Sequence, residues 1–295
     1  MTDPARRVGF IGLGVMGEPM CARLVSRSGL EVFAFDSDDA ALARCEGRGA
    51  RRAASALEVI DSCDVIFLSL PSGEVVYEVA HGSDGLLERC RSGQVVVDLS
   101  TSSVKITRDL AAAFDQRGVG FADAPVARTR AAAEAGTLLV MVGGSPEVFA
   151  TVRPLIATFA TDIVHCGAAG TGQVMKILNN MVLFEIGVAL SEAKAIGLRS
   201  GVDPQLLFET LSKGSADSFA LRNHGLKSIV PGEFPSRAFS VEYARKDLRY
   251  ALQLAGDVKV NAQAARHVDA LFARAIDAGM GGLYWPVISE VVSGT

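Results

Sequence analysis

Short, nearly unbroken apolar runs alternate with amphipathic stretches along the first half of the chain, and the alternation stops near residue 166. The runs at 8–11, 32–35, 65–69, 95–98 and 120–123 are rich in β-branched and aromatic side chains and have no polar face. Such runs are expected of parallel strands covered on both sides. Between them, apolar residues recur at helical spacing over 16–28, 40–47 and 104–116. Two further strand runs, 138–142 and 163–165, flank a helix predicted to start near Pro146. From Gly170 onward the pattern holds no strand signal. Residues 172–198 read as one long helix, with Val174, Ile177, Leu178, Met181, Val182, Ile186 and Leu190 among its apolar positions. More helices are predicted over 204–212, 243–255, 262–278 and 285–292. The pattern therefore predicts an α/β domain over 1–165 and an all-α domain over 166–295. The long helix joins them without a low-complexity linker, and an active site is expected in the cleft between them.

Composition narrows the function. The chain has 295 residues, 49% hydrophobic and 21% charged, enough apolar material for two folded domains. A net charge of −4 argues against nucleic-acid and membrane-surface partners, which call for a basic excess. No apolar run reaches membrane-spanning length, and Met1-Thr2-Asp3-Pro4 lacks the apolar core of a signal peptide. Cys21, Cys45, Cys63, Cys90 and Cys166 are scattered, without metal-ligand spacing, and so are the four histidines. The cysteines are expected to be buried free thiols of a cytoplasmic protein, and no metal site is expected.

The first strand run leads into Gly12-Leu13-Gly14-Val15-Met16-Gly17 and then into a helix. That order is the turn of a dinucleotide-binding βαβ unit, which makes the first domain Rossmann-type. Gly12 permits the tight turn, Gly14 lets backbone N–H groups approach a pyrophosphate, and Gly17 lets the helix lie close to the strand. The uncapped helix start then faces the phosphates with partial positive charge. The second strand ends at Asp36, placed to accept from the adenosine ribose hydroxyls, although a plain helix N-cap is the alternative reading. Ser37, Asp38 and Asp39 follow, with no Arg or Lys, so a 2′-phosphate would meet like charge. The cofactor predicted is NAD rather than NADP.

Four other segments carry candidate chemistry. Lys176 sits one turn into the long helix, after Gly170 and Gly172, and Asn180 is four residues on, on the same face. Together they offer a proton donor and an oxygen-orienting amide. By itself Lys176 reads equally as a surface lysine. Asp123-Ala124-Pro125-Val126-Ala127-Arg128-Thr129-Arg130 and Asp98-Leu99-Ser100-Thr101 both lie at carboxyl ends of strands, where ligands of open α/β sheets bind. Phe239 and Lys246-Asp247-Leu248 read, without further information, as an amphipathic helix bearing a solvated ion pair.

Taken in order, these motifs resemble the β-hydroxyacid dehydrogenase family. The matching segments are 9–17, Leu70-Pro71, Asp98-Leu99-Ser100-Thr101, Asp123-Ala124-Pro125-Val126, Gly136-Thr137-Leu138, Met141-Val142-Gly143-Gly144, Lys176-Ile177-Leu178-Asn179-Asn180 and Lys246-Asp247-Leu248. They span nearly the whole chain. The resemblance implies that Lys176 is the catalytic acid/base and that Asn180 binds substrate. It also implies that Leu70, Pro71, Thr101 and Lys246 line the cofactor, the last two near its nicotinamide end. Homodimers or homotetramers are implied as well.

One segment departs from the family. Most members follow Asp-Ala-Pro-Val with Ser-Gly-Gly, where this chain has Ala127-Arg128-Thr129. The variant resembles the 3-sulfolactaldehyde reductase branch, which has Gly-Arg-Thr there. An arginine fork suits two oxygens of a sulfonate, with Thr129 and Asn180 orienting the rest. The other reading has Arg128 in solvent or paired with an acid such as Glu134. The sequence thus predicts an NAD-dependent oxidoreductase interconverting a small anionic β-hydroxy acid, or its sulfonate analogue, with the aldehyde. Reduction of 3-sulfolactaldehyde is the specific expectation, and a 3-hydroxyisobutyrate or tartronate semialdehyde enzyme is the alternative. A non-catalytic NAD-binding sensor and an imine reductase are the readings from other classes; retention of the lysine argues against both.

Overall fold

The computed structural model describes residues 7–236 and 238–294. The chain divides into two compact units, Met1–Lys176 and Ile177–Thr295.

The first unit contains β1 (Arg7–Ile11), α1 (Gly17–Ser28), β2 (Glu31–Phe35), α2 (Asp39–Glu46), β3 (Arg51–Arg52), α3 (Ala56–Ser62), β4 (Val65–Leu68), α4 (Gly73–His81), α5 (Leu86–Arg89) and β5 (Val95–Asp98). It continues with α6 (Val104–Asp115), β6 (Gly120–Asp123), β7 (Val126–Ala127), α7 (Arg130–Ala135), β8 (Leu138–Gly143), α8 (Pro146–Ile156) and β9 (Ala160–Gly167). The sheet order is β3-β2-β1-β4-β5-β6-β8-β7, with β9 paired to β8. The run β3-β2-β1-β4-β5-β6 is all parallel, the doubly wound order of dinucleotide-binding sheets. β6 and β7 meet β8 antiparallel, and β9 joins β8 parallel.

Alternation along the strands builds two cores. Val8, Phe10, Val32, Ala34, Val65, Phe67, Val95 and Val97 face one side, with α1 and α8 residues over them. Ile11, Phe33, Ile66, Leu68 and Val96 face the other, under α3, α4 and α6. Both faces are dry, which is why these strands read as continuous apolar runs.

Register decides where chemistry can gather. Ile11 pairs with Phe35 and with Leu68, Leu68 with Asp98, and Asp98 with Asp123. Five strands therefore end level, and the ladder extends one residue further through Gly12 N to Phe35 O, Ser69 N to Ile11 O, Leu99 N to Leu68 O and Ala124 N to Asp98 O. The glycine turn, Asp36, Leu70-Pro71, the Asp98–Thr101 segment and the segment after Asp123 all leave from that one edge.

α9 (Thr171–Arg199) carries the division between units, at Lys176 and Ile177. A division at 165/166 cuts the end of β9, which runs on to Gly167. The second unit continues with α10 (Pro204–Leu211), a π-helical segment (Leu221–Ile229), α11 (Val241–Asp257), α12 (Gln263–Asp277), a 3-10 turn (Trp285–Val287) and α13 (Ile288–Ser293). Phe184 of α9 centres its core, 5.3 Å from Phe272 and 5.2 Å from Trp285, edge to face with both. Leu190, Phe208, Leu221 and Ile229 form a second cluster. The helix predicted over 285–292 is a 3-10 turn followed by α13. No helix of the described residues is long and apolar enough to cross a membrane. All five cysteines are free; four are buried and Cys166 is partly exposed, against the expectation of full burial.

Candidate active site

The glycine turn has the geometry of an anion cradle. Gly12 has φ +97°, and a Cβ there would press into the Ser69 carbonyl; a Cβ at Gly17 would press into the carbonyl of Gly12. At Gly14 a Cβ would meet nothing, so the turn is open on that side. Most longer helices of this unit begin with a side-chain cap: Asp38, Ser55, Ser72, Ser103 and Ser145 each accept a first-turn N–H. α1 has no such cap; Glu18 N and Met20 N donate to Gly14 O and Met16 O and Pro19 has no N–H, so a ligand anion would meet the N–H groups of the glycine turn itself. Asp36 is half-buried and accepts from the backbone N–H groups of Leu13 and Asp38. Each carboxylate oxygen keeps a second lone pair for a ribose hydroxyl. These residues fit a dinucleotide. The structure adds a cation the local sequence did not show: Arg52 of β3 reaches Asp39 at 2.5 Å.

Beyond β5, a buried polar network shapes the edge. Asp98 accepts from Ser100 N and from Ser102 Oγ, both at 2.9 Å. Ser100 Oγ accepts from Leu70 N at 2.9 Å, tying the β4 and β5 loops together. Pro71 is exposed beside Ser72, the cap of α4, and Thr101 is half-buried between the two serines of the network.

Asp123 is not the open ligand-binding acid that its strand-end position suggests. It is fully buried and caps the start of α9, accepting from Gly170 N at 2.6 Å and from Gln173 N at 2.7 Å. Two N–H donors favour the carboxylate, but burial disfavours it more strongly and pushes its pKa up to about 7, with Asp98 adding like charge. The niche requires glycine: a Cβ at Gly143 or Gly172 would strike the carboxylate. Gln173, also fully buried, donates from Nε2 to Ser100 O at 2.8 Å and accepts from Ser102 N at 3.1 Å. Lys176 follows on the next turn of α9, half-buried.

In the second unit, Asn180 is 2% exposed and donates to Asp247 Oδ2 at 2.8 Å. Its Oδ1 accepts from Asn179 at 3.1 Å. Asp247 is itself buried, with the Lys246 ammonium 3.1 Å from its other oxygen. Lys246 also lies over the rings of Tyr243 and Tyr250, at 5.8 and 5.3 Å. The pair read from sequence as solvated is therefore mostly buried. Asp247 is the functional candidate that sequence reasoning passed over. Its signal is an acid on the apolar face of α11, between Ala244, Leu248 and Ala251.

Arg128 corrects an expectation. It has left-handed φ, +87°, a backbone conformation that favours glycine. Its guanidinium donates to Thr137 O at 2.6 Å, to Thr161 Oγ1 at 3.3 Å and to Asp162 Oδ2 at 2.7 Å. The fork expected to be free for an anion is committed within the chain, and Asp162 is held below its usual carboxylate pKa by that bond. Glu134, the other expected partner, pairs with Arg130 at 2.9 Å. Thr129 caps α7, accepting from Ala132 N.

Residues 7–167 match the family described as the NAD binding domain of 6-phosphogluconate dehydrogenase. Residues 170–283 match the NAD-binding domain of NADP-dependent 3-hydroxyisobutyrate dehydrogenase. The chain is 35% identical to a 3-hydroxyisobutyrate dehydrogenase of Pseudomonas aeruginosa, over 100% of this chain and 99% of that one. It is 37% identical to a 2-(hydroxymethyl)glutarate dehydrogenase of Eubacterium barkeri, over 84% of this chain and 81% of that one. A solved 3-hydroxyisobutyrate dehydrogenase of Mycobacterium tuberculosis, with L-serine, is 31% identical with a TM-score of 0.87, covering 97% of this chain and 99% of that one.

Proposed function

The chain belongs to the β-hydroxyacid dehydrogenase family, and from that premise we propose that it interconverts a short β-hydroxy acid and its aldehyde with NAD, using Lys176 as acid/base. The observation that carries this reading is the placement of Lys176 and Asn180 one turn apart on α9, with Asn180 fixed by buried Asp247. The turn of Gly12, Leu13, Gly14, Val15, Met16 and Gly17 would hold the pyrophosphate and Asp36 the ribose. Leu70, Pro71, Thr101 and Lys246 complete the cofactor side by motif resemblance. When bound, the nicotinamide supplies or takes the hydride. Lys176 Nζ gives a proton to the substrate oxygen as the carbonyl becomes a hydroxyl, and takes it back in the reverse direction. Its charge stabilises negative charge developing on that oxygen. Asn180 keeps one N–H and one lone pair to orient the substrate. Preference for NAD rests on Asp36, Asp38 and Asp39; Arg52, which tertiary structure brings near them, is paired with Asp39. Exposed Met175, Leu178 and Val182 on α9 support a homo-oligomer.

The acid group we assign to the substrate is a carboxylate, because the Arg128 fork is engaged by Asp162 and Thr137. A sulfonate is the second reading. It is favoured by Arg128 itself, and it needs the guanidinium to exchange Asp162 for the ligand. One assay series tests both: kcat and KM with NADH on 3-sulfolactaldehyde, tartronate semialdehyde and methylmalonate semialdehyde, and with NAD and NADP on the matching alcohols. We expect turnover of a carboxylate substrate, a higher kcat/KM with NAD than with NADP, and a fall in kcat of about 10²-fold or more for Lys176→Ala while NADH still binds. NADH binding with no turnover of any substrate would favour a sensor. Preference for the sulfonate would return Arg128 to the substrate.

A further inference from the structure

We propose that Gln173 is a positioning residue that fixes Lys176 relative to Thr101, an inference that rests on the reading of Lys176 as acid/base. Gln173 holds both sides of Thr101: its Nε2 donates to the carbonyl of Ser100, and its Oε1 accepts from the N–H of Ser102. Its own backbone N–H is anchored on Asp123 at the end of β6. One side chain therefore joins the loop after β5 to the first turn of α9, across more than seventy residues of sequence. Lys176 is three residues further along the helix, about 4.5 Å of rise. Any tilt or shift of that first turn is passed directly to Nζ.

The chemistry calls for glutamine. The loop presents one carbonyl and one N–H, so the bridging group must accept and donate at the same reach. Glutamate supplies only acceptors, and asparagine is one methylene short. Gln173 is fully buried and makes no contact with solvent, so its place in the reaction is through Lys176 and Thr101 rather than through the substrate. Misplacement by about 1 Å is enough to cost a reaction about 10²-fold.

The test is a double-mutant cycle on the full chain with Gln173→Met and Lys176→Ala. Methionine keeps the volume and removes both hydrogen bonds. We expect Gln173→Met to lower kcat by about 10- to 100-fold, with KM and the NADH Kd changed by less than about threefold. In the Lys176→Ala background the same change should alter the residual rate by less than about twofold, because the geometry it sets no longer matters. An equal loss in both backgrounds would make Gln173 a purely structural residue and overturn the proposal. If Gln173→Met fails to fold, Gln173→Asn, which stays neutral and falls one methylene short of both partners, runs through the same cycle with a loss in the same direction. Amide hydrogen exchange separates this proposal from the enzyme reading. In either variant, exchange should quicken together in segments 99–103 and 171–177 and stay unchanged in 184–199. Quickening in only one of the two joined segments overturns the linkage, whether or not the wild-type chain turns over any β-hydroxy acid.

Discussion

Asp123 and Asp247 are both nearly fully buried, and each holds a different turn of the same helix, one in each compact unit. Asp123 meets α9 through backbone N–H groups, at Gly170 and Gln173. Asp247 meets it through a side chain, Asn180, and has an ammonium, that of Lys246, within 3.1 Å. The first is an arrangement of the fold: its donors are there whatever side chains α9 carries, and burial drives the acid toward its neutral form. In the second, charge is offset by charge, and the carboxylate fixes Asn180, the group proposed to meet the substrate. The two acids therefore differ in their partners: backbone N–H groups for Asp123, a side chain for Asp247.

The comparison can be broken hardest at the anchor. Asp123→Ala strands two buried N–H groups, and we expect it to lower unfolding stability by about 2–5 kcal/mol in denaturant titration; a loss under about 1 kcal/mol would mean that Asp123 does not hold α9. The anchor also titrates. Its folded pKa of about 7 lies above the ordinary 3.8, so the proton is bound more tightly in the folded chain. The stability this confers is complete below about pH 4 and is lost as pH rises through about 7. Wild type should therefore lose stability relative to Asp123→Asn between about pH 4 and 7, and parallel curves over that window would contradict the burial argument. Asp247→Asn keeps a carbonyl for Asn180 and removes the charge. It should raise KM or lower kcat by about tenfold and, because it weakens a charged hydrogen bond and a mostly buried ion pair, lower unfolding stability by about 1–3 kcal/mol. The smallest effect is expected at the exposed turn. Arg128→Gly relieves a left-handed backbone, about 1 kcal/mol, against the loss of an exposed ion pair, so Tm should move by no more than a few degrees. If carboxylate turnover survives that change, Arg128 is a feature of the surface; if sulfonate turnover alone collapses, it reads the substrate.

Much of the first unit was legible. The apolar runs at 8–11, 32–35, 65–69, 95–98 and 120–123 are strands, within a residue at their ends, because strands buried on both faces leave no other pattern. The long helix is Thr171–Arg199 against an expectation of 172–198. The short elements α3, α4, α5, α7, β3 and β7 were not read, because two to nine residues hold too little periodicity. The π-helical segment at Leu221–Ile229 was not read either; within it a Cβ at Gly225 would press on Phe208, a close approach to a distant residue that no local pattern records. In the site, the glycine turn and Asp36 lie where the motif puts them. The partners of Asp123, Asn180 and Arg128 do not show in the sequence, since they are 47, 67 and 34 residues away.

By itself the sequence determined the fold class, the glycine turn and the placing of Lys176 and Asn180 one turn apart on one helix, because all three are set by neighbours a few residues apart: alternation, glycine φ and helical spacing. Tertiary structure decided which charged groups are spent on the fold and which are held for chemistry. Asp123 became an anchor, Asp247 a holder of Asn180 and Arg128 the partner of Asp162 only when strands ending level and helices packed beside them brought distant residues within 3 Å. Hydrogen bonds form only at close range and ion pairs weaken with distance, so their partners are a property of the packed chain and not of its local order.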